Sequence, residues 1–404
     1  MRRVPHQREK RMTSRILAIY FITTAIAVQG ADYFELRDGL SNSRIVFEQT
    51  KRGRVVFLGG SITNMKGWKE RVAEDLKRRF PNTDFEFINA GIPSTGSTPG
   101  AFRLERDVFK NGRVDLLFEE AAVNDSTNGR SDKEQMRAME GIVRHARKLN
   151  PNIDIVIMHF VDPEKMRSYN QGKTPRVIQN HEKVAAHYKL PSINLAFEVT
   201  ERINRNEFTW KNDFKNLHPS PFGHALYSNT IARCFDAAWK QEAKSEKPTP
   251  YPLPVKLNEF CYDSGKLVSP SKAIETKGFS LNPKWANTVG GGTRSGFVNV
   301  PLLEGQRPGD SFQFEFNGTA VGLFTAAGPD AGMIEFKIDH GEWTKQDLYT
   351  KWSGGLHIPW LYVLASELNP KEKHILHVRI AKDNNSKSKG HACRIVHLAV
   401  NATE

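Results

Sequence analysis

The sequence predicts an α/β domain, in which a parallel sheet lies between two layers of helices (a three-layer α/β/α sandwich), followed by an all-β sandwich or jelly-roll domain. Two observations carry this expectation. From residue 54 to 240 short apolar runs alternate with longer amphipathic stretches, and after residue 254 short strand-like runs recur between Gly, Pro, Asn and Asp. At 404 residues the chain is long enough for two cores, and 39% hydrophobic with 25% charged residues excludes general disorder.

Taken in chain order, residues 1–30 read as a secretory signal. Arg2, Arg3, Arg8, Lys10, Arg11 and Arg15 precede an apolar run from 16 to 28, shorter than a membrane-spanning helix needs, with small residues near Val28, Gly30 and Ala31 for cleavage. An uncleaved anchor is the alternative, and Met12 offers a second start. The formal charge of +13 includes the net +5 of this segment, so a processed protein would carry +8. That moderate excess suits anionic partners such as acidic polysaccharide, or serves solubility alone. No run of Lys and Arg interleaved with aromatics argues for nucleic acid. The reading is therefore a secreted or periplasmic protein with no stable membrane span after processing.

After a lead-in segment, 31–53, strands are expected at 55–58, 85–89, 116–123, 153–159 and 192–195, with helices at 68–80, 133–149, 175–188 and 220–240. The segment 241–254 is charged, then proline-rich, and reads as a linker. Residues 255–404 hold strand-like runs at 311–316, 321–324, 333–338, 360–364 and 374–380. Cys234, Cys261 and Cys393 are the only cysteines, too few for a disulfide framework; Cys261 and Cys393 are candidates for one bridge, and Cys234 falls on an apolar helical pattern. No CxxC or HExxH spacing or cofactor motif occurs, so neither metal nor cofactor is expected.

The chemistry concentrates at loops following the expected strands. Gly59-Gly60-Ser61 is a tight turn between a strand and a helix, which exposes a serine at the carboxyl edge of the sheet. A serine hydroxyl needs a base, and His218, in the loop before the last helix of the α/β region, is the candidate. Acyl transfer also needs donors around a developing oxyanion; Gly91 after the second strand and Asn124 after the third are placed to provide them. Each feature alone has an ordinary explanation as a turn, a cap or a loop. Their coincidence at the ends of separate strands is what argues for a site.

The blocks GGSIT, NAGIP, AVND and HPSPFGH, in this order and spacing, resemble the four blocks of the SGNH (GDSL-like) hydrolase superfamily across roughly residues 54–240. The resemblance implies a flavodoxin-like α/β/α fold, Ser61 as nucleophile and oxyanion donor, Gly91 and Asn124 as the other donors, and His218 as general base. It also implies an acid three residues before the histidine. That position is Lys215 here, so Asp213 is the candidate acid, or a backbone carbonyl orients His218 and the site is a Ser-His dyad.

His224 reads as a surface or packing residue, Trp68 and Trp210 as core or cleft-lining residues, and His159 and Asp162 as substrate-contact candidates. Trp343, Tyr349, Trp352, Trp360 and Tyr362 cluster in the β region, where they serve either as sugar platforms or as core. Similar β modules accompany superfamily esterases that act on polysaccharides, which implies a small acyl, O-acetyl ester of a polysaccharide or oligosaccharide as substrate. A lipase or thioesterase acting on longer chains and a catalytically silent glycan-binding protein are the alternatives.

Overall fold

The computed structural model describes Met1 and residues 32–240 and 245–402; the expected signal segment lies outside these residues. The α/β region runs β1 (Phe34–Glu35), α1 (Ser41–Thr50), β2 (Arg52–Gly59), α2 (Ser61–Asn64), α3 (Trp68–Arg79), β3 (Asp84–Gly91), α4 (Ser97–Asp107), β4 (Leu116–Glu120), α5 (Ala122–Thr127), α6 (Asp132–Leu149), β5 (Asp154–Met158), α7 (Pro163–Asn170), α8 (Arg176–His187), β6 (Ser192–Ile193), α9 (Leu195–Asn204), a π-helical turn (Trp210–Phe214) and α10 (Pro221–Lys240).

The sheet order is β1-β6-β5-β4-β2-β3. β2 to β6 are parallel, as expected, and β1 joins them as an antiparallel edge. The order reverses at β2, between β4 and β3, and the carboxyl ends beside that reversal are where doubly wound sheets place their sites. Strand alternation divides the core. Val55 and Phe57 face α1, α3 and α10, whereas Val56 and Leu58 face α4, α6 and α8. The lead-in segment is therefore not a tail: β1 and α1 belong to the sheet and its helical cover, with Phe47 fully buried.

Two local expectations fail for stated reasons. The third strand stops at Glu120, because Ala122–Thr127 turns into α5 and carries Asn124 on its first turn. Helix α4 escapes the sequence pattern because Pro99 and Gly100 sit in its first two turns; Pro is tolerated there, and Gly100 packs against Ile142 and Leu58.

The β region comprises β7 (Gly265–Val268), β8 (Ile274–Lys277), β9 (Ser280–Trp285), β10 (Gly292–Thr293), β11 (Val300–Gly305), β12 (Ser311–Ala327), β13 (Met333–Ile338), β14 (Thr344–Asp347), β15 (Leu356–Ser366), β16 (Lys373–Ile380) and β17 (Cys393–Ala402). The expected runs at 311–316 and 321–324 are one strand, β12. Its first half pairs with β16 and its second with β15 and β17, so it belongs to both sheets of a sandwich. Phe312, Phe314, Leu323, Leu376 and Leu398 fill the space between them.

The outer face of the second sheet is also covered. Phe324, Leu361, Val396 and Ala399 join the cluster that contains Ala101 and Phe102 of α4 and Ile142 of α6, so these helices lie between the parallel sheet and the β sandwich. Polar contacts seal the edges: the Arg130 guanidinium lies 4.6 Å over the Trp360 ring and donates to the Leu361 carbonyl, and Arg137 pairs with Glu367 at 2.5 Å. Residues 245–254 form neither helix nor strand, yet they are pinned. The Tyr251 amide donates to the Pro151 carbonyl, its hydroxyl to Asp154, and Arg147 lies 4.7 Å over its ring. Cys234, Cys261 and Cys393 are buried free thiols, so the candidate Cys261–Cys393 bridge is absent.

Candidate active site

β2 ends at Gly59, and the chain turns through Gly60 into α2, so Ser61 opens a helix at the carboxyl edge of the sheet. A Cβ on Gly59 would lie 2.5 Å from Thr63 Oγ1, and one on Gly60 1.9 Å from Asn124 Oδ1. Glycine at 60 is therefore what allows the Asn124 amide group to sit against the serine turn. His218 comes from the loop before α10, and its Nε2 is 2.8 Å from Ser61 Oγ. When Nε2 accepts the hydroxyl proton, Nδ1 holds the other proton.

No described residue accepts from that Nδ1, and Asp213 in particular does not. Its carboxylate turns back to accept from the Thr209 amide at 2.7 Å and hydroxyl at 2.8 Å, which hold it below the ordinary carboxylate range. The cause is the π-helical turn, which closes on Lys215 at φ 90° and ψ −70° and leaves Asp213 facing the start of the turn. The His218 loop is held otherwise: the His218 amide donates to Asn216 Oδ1 at 2.8 Å and Ser220 Oγ to the Asp213 carbonyl at 2.5 Å. Ser61 and His218 thus meet as a pair beside two cations. Partial burial, then Arg294 and Lys215, lower the His218 pKa below its ordinary value.

Of the expected oxyanion donors, Asn124 faces the cleft with Ser61, and Gly91 does not. Gly91 is the last residue of β3, paired with Gly59; its amide donates to Asn89 Oδ1 at 3.0 Å, and the Asn64 backbone nitrogen lies 2.5 Å from where its Cβ would be. The strand runs two residues further than its apolar pattern suggested, which carries Gly91 past the cleft. Ser94 stands there instead. It has φ 73° in a turn closed by the Thr95 amide on the Ile92 carbonyl, and no described group accepts from its own amide. Pro93 was the available signal, since Pro followed by a positive-φ residue is the type II pattern.

Asp125, beside Asn124, is a second residue the sequence reading passed over. Fully buried, it accepts from the Ser97 amide at 2.9 Å and hydroxyl at 2.6 Å and lies 3.1 Å from His181 Nε2, tying α5 to α4 and α8. His159 and Asp162 do not contact the cleft. His159 is buried against Glu182 at 2.7 Å, and Asp162 caps α7 through the Glu164 and Lys165 amides. His224 is buried and accepts from the Trp68 amide; Trp68 is core, edge-on to Phe57, and Trp210 stacks on Phe214.

The β sandwich supplies one wall of the cleft, whose volume is about 540 Å³, through Arg294, Trp352 and Leu356. Arg294 follows β10, which pairs with the start of β15. The turn bearing Trp352 is fixed by the buried Ser353, whose hydroxyl donates to the Ala327 carbonyl and accepts from the Thr350 amide. Trp352 is 43% exposed and lines the cleft, whereas Tyr362 is buried with its hydroxyl on the Leu348 carbonyl and Trp360 lies under Arg130.

Comparison with known proteins bears on the family and the fold. Residues 57–226 match the GDSL-like Lipase/Acylhydrolase family. A two-domain esterase active on acetylated mannans is similar to the whole described architecture, with 21% identity over 92% of this chain and 99% of its own and a TM-score of 0.72. The crystal form of that two-domain esterase with mannopentaose gives 21% identity over the same shares and a TM-score of 0.68. At this identity the likeness establishes the fold, β domain included. No curated protein matches the sequence.

Proposed function

With residues 57–226 forming a GDSL-like lipase/acylhydrolase domain, we propose that this chain is an exported serine esterase that removes small acyl groups, O-acetyl foremost, from a carbohydrate. The observation that carries the reading is the 2.8 Å contact between Ser61 Oγ and His218 Nε2 in a cleft shared by Asn124 and Ser94.

His218 Nε2 takes the hydroxyl proton as Ser61 Oγ attacks the ester carbonyl. The oxyanion is met by the Ser61 amide, the Asn124 side chain and the Ser94 amide, the last in the role expected of Gly91. The tetrahedral intermediate collapses to an acyl-serine, and the imidazolium gives its proton to the departing sugar oxygen, which leaves as a hydroxyl. Water, deprotonated by His218, then releases the acid. Without an acid on Nδ1 the imidazolium is stabilised less than in a full triad, so the rate is expected to be modest. That same feature favours the second reading, a silent glycan-binding protein. A sugar rather than a long acyl chain fits the wall formed by Trp352 and Arg294, because an exposed indole offers a face to a sugar ring and a guanidinium offers donors to its oxygens. The two-domain esterase reported above is active on acetylated mannans, which supports an acetylated glycan.

The test is acetate release from acetylated polysaccharides and p-nitrophenyl acetate by the wild type and Ser61→Ala. A fall of about 10⁴-fold or more in kcat is expected; equal rates in the two proteins would reject the mechanism. A clear preference for long acyl esters would replace the acetyl reading with a lipase one.

A further inference from the structure

We infer that the cleft contains an anion subsite at Arg294, so that the preferred substrate is an acyl ester on a carboxylate-bearing sugar rather than on a neutral glycan; this deepens, and rests on, the esterase reading above.

Arg294 is half-buried in the cleft wall. Its Nη2 donates to Ser94 Oγ at 3.0 Å, its Nε is buried with no hydrogen-bond partner, and no described carboxylate pairs with it. A guanidinium withdrawn from water and given one neutral hydroxyl is under-compensated. None of the residues lining the cleft is acidic. Lys215, the other cation acting on His218, likewise has no ion-pair partner among the described residues. Arg394, buried on β17, by contrast holds Asp330 with two bonds at 2.6 and 2.7 Å and Glu304 with a third. The uncompensated charge of Arg294 faces the catalytic cleft, where a ligand can supply the counter-ion.

A carboxylate suits this position. It is planar and accepts more than one hydrogen bond from a guanidinium, which makes the interaction both stronger and more specific than a bond to a sugar hydroxyl. Because Arg294 also holds the Ser94 side chain, a substrate seated there lies next to the turn that offers the Ser94 amide to the oxyanion.

The experiment separates binding from turnover. Ser61→Ala protein is titrated calorimetrically with an oligogalacturonide and with its methyl ester, which differ in the carboxylate charge and one methyl group, and the titration is repeated with Arg294→Gln and Arg294→Lys added. The free acid is expected to bind about 10-fold or more tightly than the ester, with the difference shrinking at higher salt, vanishing in Arg294→Gln and surviving in part in Arg294→Lys. Equal affinity for acid and ester, or an acid preference untouched by Arg294→Gln in protein with an unchanged circular dichroism spectrum, would overturn the subsite. The esterase reading is judged apart, by acetate release from the O-acetylated form of the same oligomers by wild type. Release from acetylated neutral and acidic oligomers at equal rates would remove the subsite and keep the esterase. Carboxylate-selective binding without any Ser61-dependent release would do the reverse.

Discussion

The turn that presents Ser61 and the loop that presents His218 meet at 2.8 Å, yet they are built in opposite ways. The serine turn is held by packing. Gly59 and Gly60 have no room for a Cβ, Thr63 is fully buried, and the adjoining strand residues Val55, Val56, Phe57 and Leu58 are at most 2% exposed. The histidine loop is held by short side-chain to backbone hydrogen bonds on largely exposed residues and contains a non-glycine at φ 90°. Packing a turn into a core sets a nucleophile with little freedom, while a loop stitched by exposed polar bonds opens at lower cost. The difference teaches that changes near the serine should act on geometry, whereas changes near the histidine should act on protonation and local mobility.

The sharpest way to break this contrast is Gly60→Ala, whose new Cβ would displace Asn124. A loss of at least about 100-fold in kcat is expected, similar to Asn124→Ala, because both remove a proposed oxyanion donor; steady-state kinetics on p-nitrophenyl acetate measures it. Asp125→Ala tests the support behind Asn124. It strands Ser97 and His181 in the core, and urea denaturation should show a loss of about 3 kcal/mol.

On the histidine side the expected effects are smaller and different in kind. His218 must be neutral to act as a base, and burial with two cations lowers its pKa, so activity should persist to lower pH than an ordinary histidine permits. Lys215→Gln removes one of those cations; the His218 pKa rises and the acidic limb of the kcat/KM profile moves to higher pH. Asp213→Ala should change kcat by no more than about twofold, since the carboxylate serves Thr209 and not His218. A large drop there would mean that the loop rearranges to form a triad. Lys215→Gly should leave the site in place and raise stability by about 1 kcal/mol by relieving the backbone at φ 90°, measured as a shift in the denaturation midpoint.

Much of the α/β architecture was legible because it is written in local periodicity: the run 55–58 is apolar at every position, as a strand covered on both faces must be, and α6 carries a continuous amphipathic face. Ser61, Asn124 and His218 were legible for a related reason, since each follows a strand or precedes a helix whose position the pattern indicates. Gly91 misled because a glycine after a strand looks the same whether the strand ends before it or includes it; the pairing of Gly59 with Gly91 decides that, and pairing is not local. Asp213 misled in a similar way, because chain distance to His218 says nothing about where a π-helical turn points a carboxylate.

By itself, then, the sequence determined the two-part fold, the serine turn and the histidine that meets it, because strand and helix periods and turn residues act within a few positions of one another. Tertiary structure alone decided the rest: that Ser94 stands in the cleft in place of Gly91, that no described acid meets His218 while cations flank it, and that Arg294 and Trp352, more than 230 residues after Ser61, complete the wall. Those facts depend on which surfaces of two sheets pack against the same pair of helices, and packing brings together residues that no sequence window contains.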